Sequence, residues 1–354
     1  DHLPSGSVMP RLLSKLSLLP KVIIFILIIA TPRAFSQEVV VVSGIDDVIQ
    51  WMEKEQWWGE EQRGQQLTVP HAMMTGFSDR WRENAMKMPV PQKKEIFYRL
   101  MLPLIMHANT MVLARRGELQ SMDTQLKAGN TLSAADLEEL RRLAILLRIV
   151  DTERSESLGE SNDELLNIID LALYKLDVIP AGLVLGQAAY ESGYGTSRFA
   201  VQGNALFGQW TYGGKGLKPE QQRTELGDHR IASFDWPFDS VRGYYINLSS
   251  HPAYEDFRRL RAIKRAAGEP LTSMDLADGL VAYSERGQEY VDTLKGIMRV
   301  NNLTIADDAV FRDEPIRFLV GAESEARATE MRSEIEQMRA SGELADIIGR
   351  MQLE

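Results

Sequence analysis

The segment Ile179–Trp210, IPAGLVLGQAAYESGYGTSRFAVQGNALFGQW, constrains the chain more than any other stretch. Pro180 suits the first turn of a helix, where its missing N–H would have no partner anyway. Ala181–Tyr190 is then nearly devoid of polar side chains, which predicts a helix buried on most sides. Glu191 is followed by Ser192 and by Gly193, a stop signal because glycine accepts the left-handed backbone. The Glu191 carboxyl group thus falls in the last helical turn. Desolvation and the negative end of the helix dipole both disfavour its charged form. A glutamic acid still protonated near neutral pH is what general-acid catalysis requires. The plain alternative is a structural carboxylate at a helix end, and the surrounding glycines and aromatics argue against it.

These residues also carry a resemblance. QAAYESGYGTSRFA followed by NALFGQW resembles the Bax-like glucosaminidases of glycoside hydrolase family seventy-three. The likeness continues through PQKKEIFYRLMLPLI, SVRGYYINLSSHPAYEDFR and AYSERGQEYVDTLKGI. It implies a mainly α fold: a lysozyme-like helical domain with a small β-hairpin lobe, preceded by a helical N-terminal section. It further implies cleavage of peptidoglycan on the reducing side of N-acetylglucosamine, with Glu191 as the catalytic acid.

Glycoside cleavage also needs a group that activates water or attacks the anomeric carbon. Three readings stand. Glu225, in QQRTELGD, matches a glutamate in the hairpin lobe of the family and would act as base; Asp228 is a nearby substitute. In the third, the substrate's own N-acetyl group attacks, positioned by tyrosines. Tyr283 matches the family's site tyrosine. The family pattern there is tyrosine-alanine-threonine-aspartate, whereas this chain has Tyr283-Ser284-Glu285-Arg286, with one extra residue before Tyr290. For saccharide contact the candidates are Tyr194, Phe207 and Trp210 by stacking, Asn204 and Gln209 by hydrogen bonds, and Tyr290.

The composition excludes several other chemistries. A net charge of -10 argues against a nucleic-acid partner, which would call for a basic face. Cysteine is absent, so thiol nucleophiles, disulfides and thiolate metal sites are out. The 5 histidines are scattered without ligand spacing, so neither a metal nor another cofactor is expected. No serine–histidine–aspartate set can be assembled with any specificity.

Residues 9–36 read as a cleavable signal peptide: Arg11, Lys15 and Lys21, then the apolar run Val22–Ala30, then Ala34-Phe35-Ser36 before Gln37. The implied destination is the periplasm, with no stable membrane span after cleavage; an N-terminal anchor is the alternative. Residues 37–160 are expected to be a helical N-terminal region, with helices over 92–115 and, opened by Ser133, over 134–149. Glu38–Val42 is either a short strand or an extended arm, and Trp51, Trp57 and Trp58 are either core or sugar-stacking. Residues 161–303 are the expected catalytic domain and 304–354 a polar helical tail, with a solvated helix over 323–340. The function implied is an endo-acting β-N-acetylglucosaminidase on peptidoglycan glycan strands. Two rivals remain: a lytic transglycosylase on the same substrate, and an inactive wall-binding module.

Overall fold

The computed structural model describes residues 39–57, 65–77, 79–156, 158, 161–211, 216–217 and 230–344, without the side chains of 79, 210 and 211. The expected signal peptide, Trp58, Glu225 and Asp228 lie outside them. In chain order, β1 (Val39–Val42) and α1 (Ile45–Lys54) precede β2 (Thr68–Val69), β3 (Ala72–Met74), α2 (Asp79–Lys87) and the long α3 (Val90–Lys127). Next come α4 (Ala134–Leu146), α5 (Thr152–Ser155), α6 (Asn162–Lys175), α7 (Ala181–Ser192) and α8 (Arg198–Gly203). The short strands β4 (Trp210–Thr211), β5 (Gly216–Leu217) and β6 (Arg230–Ala232) follow. The remainder is α9 (Pro237–Ser250), α10 (Glu255–Ala266), α11 (Ser273–Leu276), α12 (Gln288–Val300), β7 (Val310–Phe311), β8 (Arg317–Gly321) and α13 (Glu325–Ser341). The protein is mainly α with small β elements, as the motif implies.

The chain forms two compact units, and both are discontinuous in sequence. The first comprises residues up to Pro103, Ser192–Asp239 and Phe311 onward. Its centre is a parallel sheet in the order β1-β8-β3, with Val39 opposite Phe318 and Met74 opposite Leu319. Glu38–Val42 is thus resolved in favour of a strand over Val39–Val42. The expected polar tail is corrected here. Arg317–Val320 of β8 is buried, and α13 buries Ala328, Met331, Ile335 and Met338 along one face. That three-and-four spacing is a core-facing helical stripe beneath a charged exterior. The N-terminal region is likewise not purely helical, since β1 and β3 flank β8. Trp51 and Trp57 are buried and so belong to the core rather than to a sugar platform. In the same unit β4, β6 and β5 form the small antiparallel lobe the sequence leads one to expect.

The second unit comprises Leu104–Glu191 and Ser240–Val310. One part of its core joins Leu119, Met122 and Leu126 of α3 to Leu140 and Leu143 of α4 and Ile168, Ile169 and Ala172 of α6. Ser133 caps α4 as expected, its hydroxyl accepting from the Asp136 N–H at 3.1 Å. Helix α3 continues through Pro103 and runs farther than the expected 92–115, to Lys127. Among the described residues it is the helix long and apolar enough to cross a membrane, but 61% of its most apolar window is buried inside the protein, as in a core helix.

The start of α7 is fixed by several locks within this unit. Asn109 exchanges two hydrogen bonds with the Ile179 backbone, at 2.9 and 3.0 Å. Asp307 accepts from the Gly182 N–H at 3.0 Å and from the Ser273 N–H at 2.7 Å, satisfying first-turn donors of α7 and α11. Gly182 has no alternative: a Cβ there would lie 2.4 Å from the Leu303 carbonyl oxygen. Asp177, before the helix, is gripped by Arg265 through two 2.9 Å contacts, while buried Arg261 donates to the Asp177 carbonyl at 2.9 Å.

Candidate active site

Glu191 occupies the last turn of α7, and Gly193 beyond it has φ +57, the stop its sequence position predicts. Burial pushes the Glu191 carboxyl above the ordinary carboxylate value; a hydrogen bond from Tyr290 pulls the other way without cancelling it. Burial thus shifts the group toward its protonated form, the direction the general-acid reading requires.

Its surroundings in the second unit are tyrosines. The Tyr290 hydroxyl, from α12, donates to Glu191 Oε1 at 2.9 Å. The same hydroxyl oxygen accepts from Gln187 Nε2 at 3.0 Å, and Gln187 Oε1 accepts from the Tyr244 hydroxyl of α9. Gln187, Tyr244 and Tyr290 are at most 1% exposed, so this chain of donors is sealed from solvent. Tyr283 ends a 3-10 segment, Ala277–Tyr283. Its ring stacks on Tyr290 with centroids 5.6 Å apart and planes 6° apart, and meets Tyr254 at 5.7 Å. The departure from the family's four-residue pattern has therefore not separated Tyr283 from Tyr290. Burial, then the charges of neighbouring tyrosines and Glu191, hold the Tyr283 phenol well above its usual range. Tyr190 packs edge-on against Tyr290 at 5.6 Å and accepts a hydrogen bond from Arg286 Nη1.

Tyr290, a saccharide-contact candidate by sequence, is placed by the fold against Glu191. Its ring is buried in the core and its hydroxyl donates to the Glu191 carboxyl. Gln187 and Tyr244 are absent from the sequence-derived candidates. A signal for Gln187 existed: it is the one amide in an apolar helix, four residues before Glu191 and so on the same face. Tyr244 carries no comparable local mark.

The other candidates lie in the first unit. Tyr194 takes the left-handed conformation, φ +60, and its carbonyl accepts from Trp81 Nε1 at 3.2 Å. Its half-buried ring packs edge-on against Phe97 and Tyr98, with Lys93 and Lys94 each 5.5 Å from its centroid. Asn204 caps α8 at φ +49 and donates through Nδ2 to the carbonyls of Phe234 and Asp235, both at 3.1 Å. Its donors are thus used in holding a loop, while among the described residues its buried Oδ1 meets no hydrogen-bond partner, nor does Gln209 Oε1. Phe207 is 1% exposed, so it is core and offers no open ring face. Trp210 begins β4, but the stacking role expected of its side chain falls outside the described residues, as does every role for Glu225 and Asp228. Among the described residues no group of histidine and carboxylate side chains is arranged to hold a metal ion.

Known proteins place this arrangement in a class. Residues 168–303 match the glucosaminidase family, described as mannosyl-glycoprotein endo-beta-N-acetylglucosaminidase. That span contains Gln187, Glu191, Tyr244, Tyr283 and Tyr290, and the match indicates a glycosidase-type enzyme. More particularly, the chain is 28% identical over 214 residues to Protein bax of Escherichia coli (strain K12), across 60% of this chain and 72% of that protein. Over this segment the chain is thus similar to the Bax-like glucosaminidases. No solved structure matches the chain.

Proposed function

We propose that the protein is an endo-β-N-acetylglucosaminidase that cleaves the glycan strands of peptidoglycan, with Glu191 as general acid. The observation that carries the reading is the half-buried Glu191 carboxyl at the end of α7, its pKa raised by burial and one oxygen held by one phenol. The Tyr290 proton occupies Oε1, which leaves the acid proton on Oε2 for the oxygen of the leaving sugar. As the glycosidic bond breaks, Glu191 becomes a carboxylate. The Tyr290 donor then stabilises that new charge, an interaction stronger in the transition state than before it. The second group is a water-activating carboxylate, Glu225 or Asp228, or else the substrate's N-acetyl group aided by Tyr283. The first route inverts the anomeric carbon and the second retains it, so NMR of the fresh product separates them. The substrate lies outside the cytoplasm, in keeping with the export signal read over 9–36.

The deciding experiment is digestion of purified sacculi by the wild type and Glu191→Gln, with products read by mass spectrometry. New reducing N-acetylglucosamine ends that vanish in the variant are expected. Anhydro-muramic ends would replace this reading with a lytic transglycosylase. Undiminished hydrolysis by Glu191→Gln would remove Glu191 from the chemistry.

A further inference from the structure

The protons in the chain Tyr244–Gln187–Tyr290–Glu191 admit two arrangements. In one, each donor points toward Glu191: the Tyr244 hydroxyl to Gln187 Oε1, Gln187 Nε2 to the Tyr290 oxygen, and the Tyr290 hydroxyl to Glu191 Oε1. In the other, the amide is turned over. Gln187 Oε1 then claims the Tyr290 proton, and a protonated Glu191 must donate inward to the phenol oxygen. The acid proton is then withheld from substrate. A phenol has one proton and an amide nitrogen can only donate, so the amide's orientation decides which arrangement holds.

We infer that Gln187, held by Tyr244, is a positioning residue that aims the Tyr290 hydroxyl proton at Glu191 Oε1 and so keeps the acid proton on Oε2. The inference rests on the reading of Glu191 as the acid. Two further observations support it. Gln187 and Tyr244 are each 0% exposed, so no solvent competes for their hydrogen-bonding atoms. Each of these phenols stays protonated at working pH: Tyr244, Tyr254, Tyr283 and Tyr290 are raised above their usual value by burial first, with neighbouring charge adding to it and hydrogen bonds of Tyr254 with Asn247 and of Tyr290 with Gln187 only partly offsetting it. Each link therefore remains a donor through the proton transfer, and the chain polarises in one direction.

The test is Gln187→Glu, which keeps the shape but can accept at both ends and so captures the Tyr290 proton. We expect kcat to fall about tenfold or more with KM within about twofold. The alkaline limb of the kcat profile should move to higher pH, because the Glu191 anion loses its donor. In a Tyr290→Phe background the same substitution should add less than about twofold, since Gln187 acts through Tyr290. Tyr244→Phe introduces no charge, so it separates loss of aim from repulsion. It should move the limb in the same direction by less, and it serves in place of Gln187→Glu if that variant fails to fold. An unmoved limb in either folded variant, or losses that multiply with those of Tyr290→Phe, would overturn the inference. The titration of the Glu191 carboxyl, followed by carbon NMR in the same variants, reads the chain without any activity. A titration that moves while hydrolysis ignores Glu191 would sink the proposed function and leave the hydrogen-bond chain standing.

Discussion

Helix α7 has a buried carboxylate just before its start and a half-buried one at its end, and the two behave oppositely. Burial pushes Asp177 up, but hydrogen bonds from Arg265 and the charges of Arg261 and Arg116 outweigh it, so the group ends below its ordinary value. Glu191 feels the same push with a single phenol against it, and ends above. Desolvation has one sign at both sites; the partner supplied decides whether the result is a permanently charged tie or an acid that can let go of a proton. Asp177 is the tie. It sits in a cage of arginines that also donate to the carbonyls of Leu173, Lys175, Leu176 and Asp177, locking the turn into α7. Glu191 is surrounded by tyrosines, which orient without neutralising.

The contrast breaks if exchanging the partners' effects leaves both groups alike. The largest expected effect is on hydrolysis. Glu191→Gln removes the proposed proton donor while keeping its shape, and activity on sacculi should drop by about two to four orders of magnitude, with a native circular dichroism spectrum. Asp177→Ala should do the reverse. It strands Arg261 and Arg265 without their anion, and the expected loss of stability is about 3 kcal/mol, read by urea unfolding. Activity per folded molecule should stay within about threefold, since no reacting atom is touched. The pH sign for Asp177 follows from its depressed value. Its contribution is present above the unfolded-state pKa and is lost as pH falls through the folded-state pKa. Wild-type stability should therefore decline on acidification into and below the ordinary aspartate range, and Asp177→Asn should flatten that decline.

A smaller effect is expected from Tyr290→Phe, which removes one oxygen from a packed ring. Hydrolysis should fall about tenfold. The alkaline limb should rise, because the hydrogen bond that favours the charged form of Glu191 is gone. An unchanged limb would mean that the phenol merely packs.

How much of this was legible depends on the distance along the chain over which each feature is specified. The α7 helix, its glycine stop, the Ser133 cap and a carboxyl with a raised pKa at position 191 are written within a few neighbouring residues, and each is found. The parallel sheet is not written locally. VVVV at 39–42 and RFLVG at 317–321 pair across nearly the whole chain, with no shared turn to announce them. The charged surface of α13 similarly masked a four-residue apolar stripe that only a partner, β1, makes meaningful. At the site, Gln187 shares a helical face with Glu191, whereas Tyr244 and Tyr290 reach it from α9 and α12. The resemblance pointed to Tyr283 as the site tyrosine, and the fold puts the hydroxyl of Tyr290, the ring stacked on it, on the carboxyl. Phe207 was misjudged for a general reason: an aromatic in a glycine-rich segment looks alike from sequence whether it faces a groove or the interior.

The smallest expected effect tests the comparison on stability alone. A carboxyl whose folded pKa is raised binds its proton more tightly in the native state than in the unfolded chain. Folding is then penalised wherever pH exceeds the unfolded pKa, with the full penalty above the folded pKa, and the penalty fades as pH falls toward the unfolded value. Gln at 191 cannot ionise and still accepts the Tyr290 hydrogen bond. Glu191→Gln should therefore melt slightly above wild type at pH 7, and the gap should narrow as the buffer is brought toward pH 4. Asp177→Asn predicts the mirror image, below wild type at pH 7 and converging with it in acid. If both substitutions lower the melting temperature at pH 7, Glu191 is a structural tie like Asp177, and its tyrosine cage stabilises a charge instead of withholding one.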